Sequence, residues 1–285
     1  MTEAKPTTAS GTATSRYAEH DGIRFHYLDW GGDGPPLVML HGFTGHAHTW
    51  DYPARALADQ YRVLALDQRG HGDTGWAPLY GSRPMVRDLL AFLDHLGLDR
   101  VTLMGLSMGG NVAYLFAAAH PERIERLIIL DIGPEVAPAG GARIAAGLAG
   151  PDVFASEDEA VTQARAANPR PTDESLRHRV SHNLRQLPDG RLTFKWDKAL
   201  RDGSAARHDH SVDERWEAWR SVPGPLLLVR GAESDILTAD FAARMLAENP
   251  TATCVLVADS GHSITLDRPE GLVDVLSPWL AATRA

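Results

Sequence analysis

The chain has 285 residues, of which 44% are hydrophobic, and its formal net charge is −9. This length suffices for one large domain with a packed core, and the acidic balance without a basic run argues against a nucleic-acid partner. The single cysteine, Cys254, excludes an intramolecular disulfide, so no oxidising compartment is needed, and we expect it to be a buried packing residue.

The sequence contains neither a signal-peptide pattern nor a run that predicts a membrane span. Residues 1–15 are rich in Ala, Thr and Ser and lack the apolar core of a signal peptide, so we expect a disordered tail there. No run of about 18 apolar residues occurs, which predicts no membrane span. We therefore expect a cytoplasmic protein by default, and the sequence leaves its oligomeric state open.

Strand and helix patterns alternate along most of the chain. The Asp21-Gly22 turn between residues 17–20 and 23–30 predicts a β-hairpin. Continuous apolar runs, typical of a parallel sheet covered on both faces, predict further strands at 37–41, 62–67, 101–106, 126–131, 225–230 and 253–258. With helical patterns between them, these runs predict an α/β fold with a doubly wound, mostly parallel eight-stranded sheet.

The long interval between the sixth and seventh predicted strands, 126–131 and 225–230, contains helix signals instead of a strong strand. Ser156 and Ser211 each have a glutamate three residues later, a pattern that predicts a helix start. We therefore expect a helical cap inserted at residues 134–220, with a core formed by residues 16–133 and 221–285.

Residues 105–109 read Gly-Leu-Ser-Met-Gly directly after the apolar run 101–104 and before a helical pattern. Small residues on both sides allow a sharp strand-to-helix turn that exposes the Ser107 hydroxyl. The same turn places the backbone N–H of Met108 at a helix N-terminus, where it can face a developing negative charge. The motif predicts that Ser107 is a nucleophile.

A serine nucleophile needs a base and a group that orients the base. His262 follows the last predicted strand, and Asp235 follows the strand before it, so nucleophile, acid and base occur in the order Ser, Asp, His. We expect Asp235 to be the acid because its loop adjoins that of His262. Asp131, after the sixth strand, and Glu233, in the loop of Asp235, are the alternatives.

Two other loops follow predicted strands and point to the same site. In His41-Gly42-Phe43 the small residues let the backbone turn inward, and Phe43 N–H is the expected second oxyanion donor. In the loop 67–73 we expect Arg69 to pair with a carboxylate and His71 to brace the serine turn, neither of them reacting.

With these motifs the chain resembles the α/β-hydrolase superfamily, in its branch of small esterases, lactonases, C–C hydrolases and cofactor-free perhydrolases with a His-Gly oxyanion loop. The resemblance covers residues of about 17–281 and is looser between about 134 and 220. It implies a serine hydrolase that acts on a small, moderately hydrophobic carboxylic ester or related carbonyl compound. Haloalkane dehalogenases and epoxide hydrolases are disfavoured, because in this superfamily they carry aspartate where Ser107 stands.

Several alternatives remain open on the sequence alone. C–C bond or lactone hydrolysis would use the same triad, cofactor-independent oxygenation and perhydrolysis are further possibilities, and a non-catalytic, receptor-like use of the fold is the alternative from another class. Trp196 and Trp219, in the expected cap, could line the substrate pocket or belong to the core.

Neither a metal nor another cofactor is expected. His178 and His182 are four residues apart on a predicted helix, and His208 and His210 flank Asp209. However, a zincin pattern is missing and no carboxylate ligand is obviously placed, which favours solvated histidines. No glycine-rich nucleotide-binding motif follows a strand.

Overall fold

The computed structural model describes residues 11–202 and 204–283. Its strands are β1 (Thr14–His20), β2 (Ile23–Asp29), β3 (Pro36–Leu40), β4 (Arg62–Leu66), β5 (Leu79–Tyr80), β6 (Val101–Leu106), β7 (Ile124–Leu130), β8 (Val153–Phe154), β9 (Leu184–Gln186), β10 (Leu192–Phe194), β11 (Ala206–Arg207), β12 (Leu226–Gly231) and β13 (Ala252–Val257). Its α-helices are α1 (Asp51–Leu57), α2 (Ser82–His95), α3 (Met108–Ala119), α4 (Pro138–Leu148), α5 (Glu157–Ala167), α6 (Asp173–Asn183), α7 (Ala199–Asp202), α8 (Val212–Ser221), α9 (Ala239–Glu248), α10 (Ile264–Asp267) and α11 (Pro269–Ala282). Two 3₁₀ turns occupy Ala47–Trp50 and Pro121–Arg123.

The main sheet has eight strands in the order β1-β2-β4-β3-β6-β7-β12-β13. β1 and β2 form an antiparallel hairpin, β2 is antiparallel to β4, and the remaining neighbours run parallel. The predicted doubly wound, mostly parallel sheet is thus confirmed.

Each central strand contributes to a hydrophobic core on both faces of the sheet. In β3, Leu37 and Met39 belong to one buried cluster, whereas Val38 and Leu40 belong to the other. This alternation follows from the period of two residues in a strand, and it explains why the central strands read as unbroken apolar runs.

The start of the chain departs from the expected tail over 1–15. Residues 1–10 lie outside the described residues, but Thr14 and Ser15 are already in β1, where they pair with Asp29 and Leu28 of β2. The prediction of disorder is therefore wrong for these two residues. A polar, solvent-facing edge strand has no hydrophobic signal of its own, and its partner strand supplies the order.

The segment between β7 and β12 contains α4 to α8, as the sequence led us to expect, and also a small antiparallel sheet in the order β8-β10-β9. The side chain of Ser156 accepts a hydrogen bond from Glu159 N at the start of α5, and Ser211 and Glu214 form a capping box at α8. Strands of two or three residues are too short to show a periodic pattern, so the small sheet could not be predicted.

The last helix of this segment, α8, packs against α3 on the main sheet. Trp219 is fully buried, its ring meets Tyr114 edge-on at 5.9 Å, and its Nε1–H donates to Met245 O at 2.8 Å. Trp219 is thus a core residue, and its expected role in substrate binding is corrected. The reason is that α8 contributes its tryptophan face to the main core cluster.

We expect Trp219→Ala to lower the free energy of unfolding by about 3–5 kcal/mol, because it removes a large, fully packed side chain. Denaturant unfolding followed by circular dichroism measures this change. As a control, Trp76→Ala removes a tryptophan that is 50% exposed and should change stability by less than about 1 kcal/mol. Equal effects of the two substitutions would contradict the placement of Trp219 in the core.

Candidate active site

Ser107 occupies a strained turn between β6 and α3. Its backbone has φ 53° and ψ −117°, a left-handed φ that residues with a side chain rarely adopt. A Cβ atom on Gly109 would lie 2.2 Å from Leu40 O, and one on Gly105 would lie 2.3 Å from Gly109 O. Only glycine fits at either position, which is the physical basis of the sequence pattern around Ser107.

His262 lies in the loop after β13 and contacts both Ser107 and an aspartate. Its Nε2 is 2.9 Å from Ser107 Oγ, and its Nδ1 is 2.8 Å from Asp131 Oδ2. Because a carboxylate can only accept, this network assigns the proton to Nδ1 and leaves Nε2 free to accept from the serine hydroxyl. The candidate nucleophile, Ser107, is therefore connected through His262 to the carboxylate of Asp131, the arrangement of a serine–histidine–acid series.

Asp131 directly follows β7 and is fully buried, with φ 51°. Burial raises the pKa of its carboxyl group, and hydrogen bonds from His262, Ser234 and Gly231 oppose that shift. Gly231 N donates to Oδ1 at 2.9 Å, and the Ser234 hydroxyl donates to Oδ2. These donors hold the carboxylate in the orientation that His262 requires.

Asp235, the acid expected from the sequence, does not contact His262. Its carboxylate accepts two hydrogen bonds from Arg143 of α4, at 2.6 and 2.7 Å, and its side chain is 39% exposed. Glu233, in the same loop, pairs with Arg170 at 2.7 Å. The sequence prediction of a His262–Asp235 pair is therefore wrong, and the alternative, Asp131, takes that place.

The sheet order explains this difference. β7 lies between β6 and β12, so Asp131 at the end of β7 is next to the Ser107 turn. The Asp131 carboxylate therefore lies close to Ser107 without a long connection, and the loop that carries His262 extends over β12 to reach it. The signal in the sequence was the position of Asp131 immediately after a buried strand.

The two expected oxyanion donors lie on either side of Ser107. Met108 is the first residue of α3, and Phe43 follows Gly42, where a Cβ atom would lie only 3.2 Å from Ser107 Cβ. His41 stabilises this loop: its Nε2 accepts from Gln68 N at 3.0 Å and its Nδ1 donates to Gly42 O at 2.8 Å. Burial lowers the pKa of His41, so the ring stays neutral.

In the loop after β4, Arg69 pairs with a carboxylate as expected, whereas the ring contacts of His71 are with the loop of His41 and Phe43 and not with the serine turn. Arg69 forms a two-pronged ion pair with Asp88, both bonds being 2.5 Å long. Burial lowers the pKa of His71 to about 3, so its imidazole is neutral, and the ring meets Phe43 edge-on at 5.8 Å. His71 thus packs against the oxyanion loop.

Two cavities reach Ser107. The first has a volume of about 250 Å³ and extends under α4, α5 and α6, with walls that include Leu176, Val180 and Trp196. The second, of about 460 Å³, extends from Ser107 towards Met85 and Val136. Trp196 thus lines the first cavity, one of the two placements that the sequence left open for it, whereas Trp219 lines neither cavity.

Two features of helix α6 had no clear sequence signal: the position of Arg179 at a cavity wall, and the contact of His178 and His182 with His48. Arg179 of α6 lines the first cavity. His178 and His182 meet His48, and one ring nitrogen from each of the three lies within 4.8 Å of the others. The spacing of His178 and His182 hinted at a pair, but nothing in the sequence places His48 beside them. His210, which flanks Asp209 in the sequence, lies elsewhere, with its Nδ1 2.8 Å from Ser82 Oγ.

Comparison with known proteins agrees with this geometry. A sequence model of the family described as alpha/beta hydrolase fold matches residues 35–269. The chain is 30% identical to the 3-hydroxybutyrate-oligomer hydrolase of Cupriavidus necator, over 86% of this chain and 89% of the relative. It is 29% identical to an esterase of Mycobacterium tuberculosis, over 87% and 84%.

A solved structure of an alpha/beta hydrolase also matches this chain. An alpha/beta hydrolase from Novosphingobium aromaticivorans superimposes with a TM-score of 0.84 at 31% identity, covering 94% of this chain and 98% of the other. Within the described part of the chain, no helix is both long and apolar enough to cross a membrane.

The pairing of His262 with Asp131 leads to a ranking of two matched substitutions. Asp131→Asn should lower kcat for an activated ester by roughly 10⁴, because the ring would lose the acceptor that fixes its tautomer. Asp235→Asn should change kcat only a few-fold, because that carboxylate contacts Arg143 instead. Steady-state kinetics with p-nitrophenyl esters measures both values of kcat. A larger loss in Asp235→Asn than in Asp131→Asn would indicate that Asp235 is the acid.

Proposed function

The chain belongs to the α/β-hydrolase family and is a carboxylesterase-like hydrolase, and on that premise we propose that it cleaves a small carboxylic ester through Ser107, His262 and Asp131. The observation that carries the proposal is the continuous hydrogen-bonded series from Ser107 Oγ through His262 to Asp131, at 2.9 and 2.8 Å. Both distances lie within the range in which a base can take the proton of its nucleophile.

In the proposed acylation step, His262 Nε2 takes the hydroxyl proton while Ser107 Oγ attacks the ester carbon. The carbonyl oxygen becomes an oxyanion, which the N–H groups of Phe43 and Met108 are placed to stabilise. Asp131, whose carboxylate accepts hydrogen bonds from Ser234 and Gly231 as well as from His262, stabilises the imidazolium that forms. His262 then gives its proton to the leaving alcohol, and an acyl-serine ester remains.

Deacylation repeats the same steps with water as the nucleophile. His262 takes a proton from the water molecule as it attacks the acyl carbon, and returns that proton to Ser107 Oγ as the acid leaves. No further protein group has to move a proton in this cycle. The strained turn keeps the serine hydroxyl in the same position for both half-reactions.

The two cavities support a substrate with two parts that meet at Ser107. Phe43, Ser107 and Ile144 line both cavities, so an ester carbon at Ser107 has space on either side. We propose that one side holds the acyl part and the other the alcohol. Trp196 would contact the part in the first cavity, and the segment from α4 to β10 would form the cap over it.

We expect Ser107→Ala to lower kcat by roughly 10⁴–10⁶ with the fold unchanged, because it removes the only atom that forms the acyl bond. The measurement is turnover of p-nitrophenyl esters and a lactone panel, with circular dichroism as the check on folding. Ser181→Ala, at an exposed position on α6, is the matched control and should leave turnover unchanged.

A serine-directed phosphonate should label the wild type at Ser107 alone, as read by mass spectrometry of the digested protein. Wild-type turnover in Ser107→Ala, or labelling at another serine, would contradict the proposal. A burst of only one turnover per protein molecule would instead indicate the receptor-like use of the fold.

A further inference from the structure

Three arginines line the first cavity, and they differ in how their charge is balanced. Arg143 pairs with Asp235 at 2.6 Å, and Arg201 pairs with Asp152 at 3.0 Å. Arg179 differs: no carboxylate oxygen of residues 11–202 or 204–283 lies within 4.0 Å of its guanidinium, and its side chain forms no hydrogen bond with them.

The surroundings of Arg179 make this imbalance costly. Leu176 and Val180, on the same helix, and Leu266 form apolar walls of the same cavity. Burial lowers the pKa of Arg179, against the more distant charge of Asp267, and the residue is half-buried at the wall of the cavity. An arginine remains charged in proteins, and a charge in such surroundings destabilises the structure unless it gains a partner.

We propose that Arg179 binds a carboxylate on the substrate, so that the enzyme prefers esters whose part in the first cavity carries a free acid. This inference rests on the proposed function, since it names the substrate class of the same site. A planar guanidinium binds a carboxylate with two parallel hydrogen bonds. One arginine balances one negative charge, and the other two arginines of the cavity already have carboxylate partners, Asp235 for Arg143 and Asp152, shared with Lys198, for Arg201.

The test compares esters that differ only in this charge. The p-nitrophenyl monoesters of dicarboxylic acids from glutarate to suberate carry a free carboxylate, and their methyl-capped counterparts do not. We expect the wild type to have a kcat/KM roughly 10–100-fold higher for the best acid than for its capped form, with Ser107→Ala as the blank.

Arg179→Ala should abolish this preference by lowering kcat/KM for the acid alone, and Arg179→Lys should retain part of it. Arg177→Ala is the matched control, because it removes one exposed positive charge from the same helix. It should leave both rates unchanged. Equal rates for acid and capped ester in the wild type, or an equal loss of both in Arg179→Ala, would overturn the inference and leave the proposed function standing.

A binding measurement separates the inference from the chemistry. By calorimetry, the dicarboxylates should bind to the Ser107→Ala protein, and Arg179→Ala in that background should abolish the binding. If the wild type cleaved none of the esters, the proposed function would fail, while this measurement would still support or overturn the carboxylate site.

A separate observation concerns His48, His178 and His182, which we call the histidine cluster. His178 and His182 lie one turn apart on α6, and His48 lies in the 3₁₀ turn that precedes α1. The ring centres of His48 and His182 are 3.8 Å apart, and those of His178 and His182 are 4.4 Å apart. The cluster thus joins α6 to the segment that follows the oxyanion loop.

Hydrogen bonds fix the orientation of all three rings. Asp51 Oδ2 accepts from His178 Nε2 at 2.8 Å and from His48 Nδ1 at 3.0 Å, and His182 Nδ1 donates to His178 O at 2.8 Å. The bonded nitrogen of each ring is therefore the donor, so the second ring nitrogen is the one that could bind a metal. Histidine ligands of metals are typically oriented by a carboxylate or carbonyl in this way.

We infer that the histidine cluster binds one divalent transition-metal ion, such as Zn²⁺ or Ni²⁺, with Asp51 as the supporting carboxylate. Three neutral imidazoles form a common ligand set for such ions, with water completing the coordination. The side chains of His48 and His178 are 25% and 40% exposed, so an ion can enter from solvent. A bound metal ion would link α6 to the 3₁₀ turn that contains His48 and would thereby stabilise the folded protein.

Calorimetry with ZnCl₂ tests this site on the whole protein. We expect one site, with affinity reduced at least roughly 10-fold by His48→Ala, His178→Ala or His182→Ala taken singly, and roughly 10–100-fold by Asp51→Asn. Zinc at 100 times the wild-type Kd should raise the Tm of the wild type by about 5 °C and that of the histidine variants by at most about half as much.

His95→Ala, which removes an exposed histidine of α2, and Ser107→Ala, at the triad, are the controls and should bind zinc like the wild type. Unchanged binding in all three histidine variants would overturn the site. Binding that disappears in Ser107→Ala would also overturn it, because it would place the metal at the triad instead.

Discussion

The strained turn at Ser107 is the constraint on which the rest of the site depends. A left-handed φ at a serine costs of the order of 1–3 kcal/mol, and it persists because the surroundings enforce it. Ser107 N donates to Leu130 O at 3.0 Å, and Gly109 fits against Leu40 O only because it lacks a side chain. The hydroxyl therefore has a fixed position, and the other groups are arranged around it.

The parallel sheet brings those groups together at one edge. The loops after β3, β7 and β13 supply the oxyanion loop, Asp131 and His262, because the carboxyl ends of parallel strands lie on the same side. Asp131 has a left-handed φ of 51° like Ser107, and its N–H donates to Val229 O at 2.8 Å. Two of the three residues of the proposed triad are thus held in unusual backbone conformations by neighbouring strands.

The strands and the serine turn could be predicted, because each depends on a local pattern of apolar residues and glycines. The pairing of His262 with Ser107 could be predicted because both residues follow parallel strands, whose carboxyl ends lie at the same edge of the sheet. The choice between Asp131 and Asp235 could not, since both follow strands at the same edge. It depends on Arg143, which reaches from α4 to bind Asp235, and on Ser234, which orients Asp131. Trp219 and His48 show the same limit, because their partners lie far away in the sequence.

Helix α6 connects the binding of substrate to the oxyanion loop. It carries Arg179 in the first cavity, and it also contacts that loop through Asn183 Nδ2, which donates to Thr44 O at 2.9 Å. His46 Nε2 lies 3.0 Å from Arg179 O, so the residue proposed to hold the substrate is itself held by the loop that would stabilise the oxyanion. A displacement of α6 would break both contacts. The position of this helix would therefore set the geometry of the proposed recognition and of the proposed catalysis together.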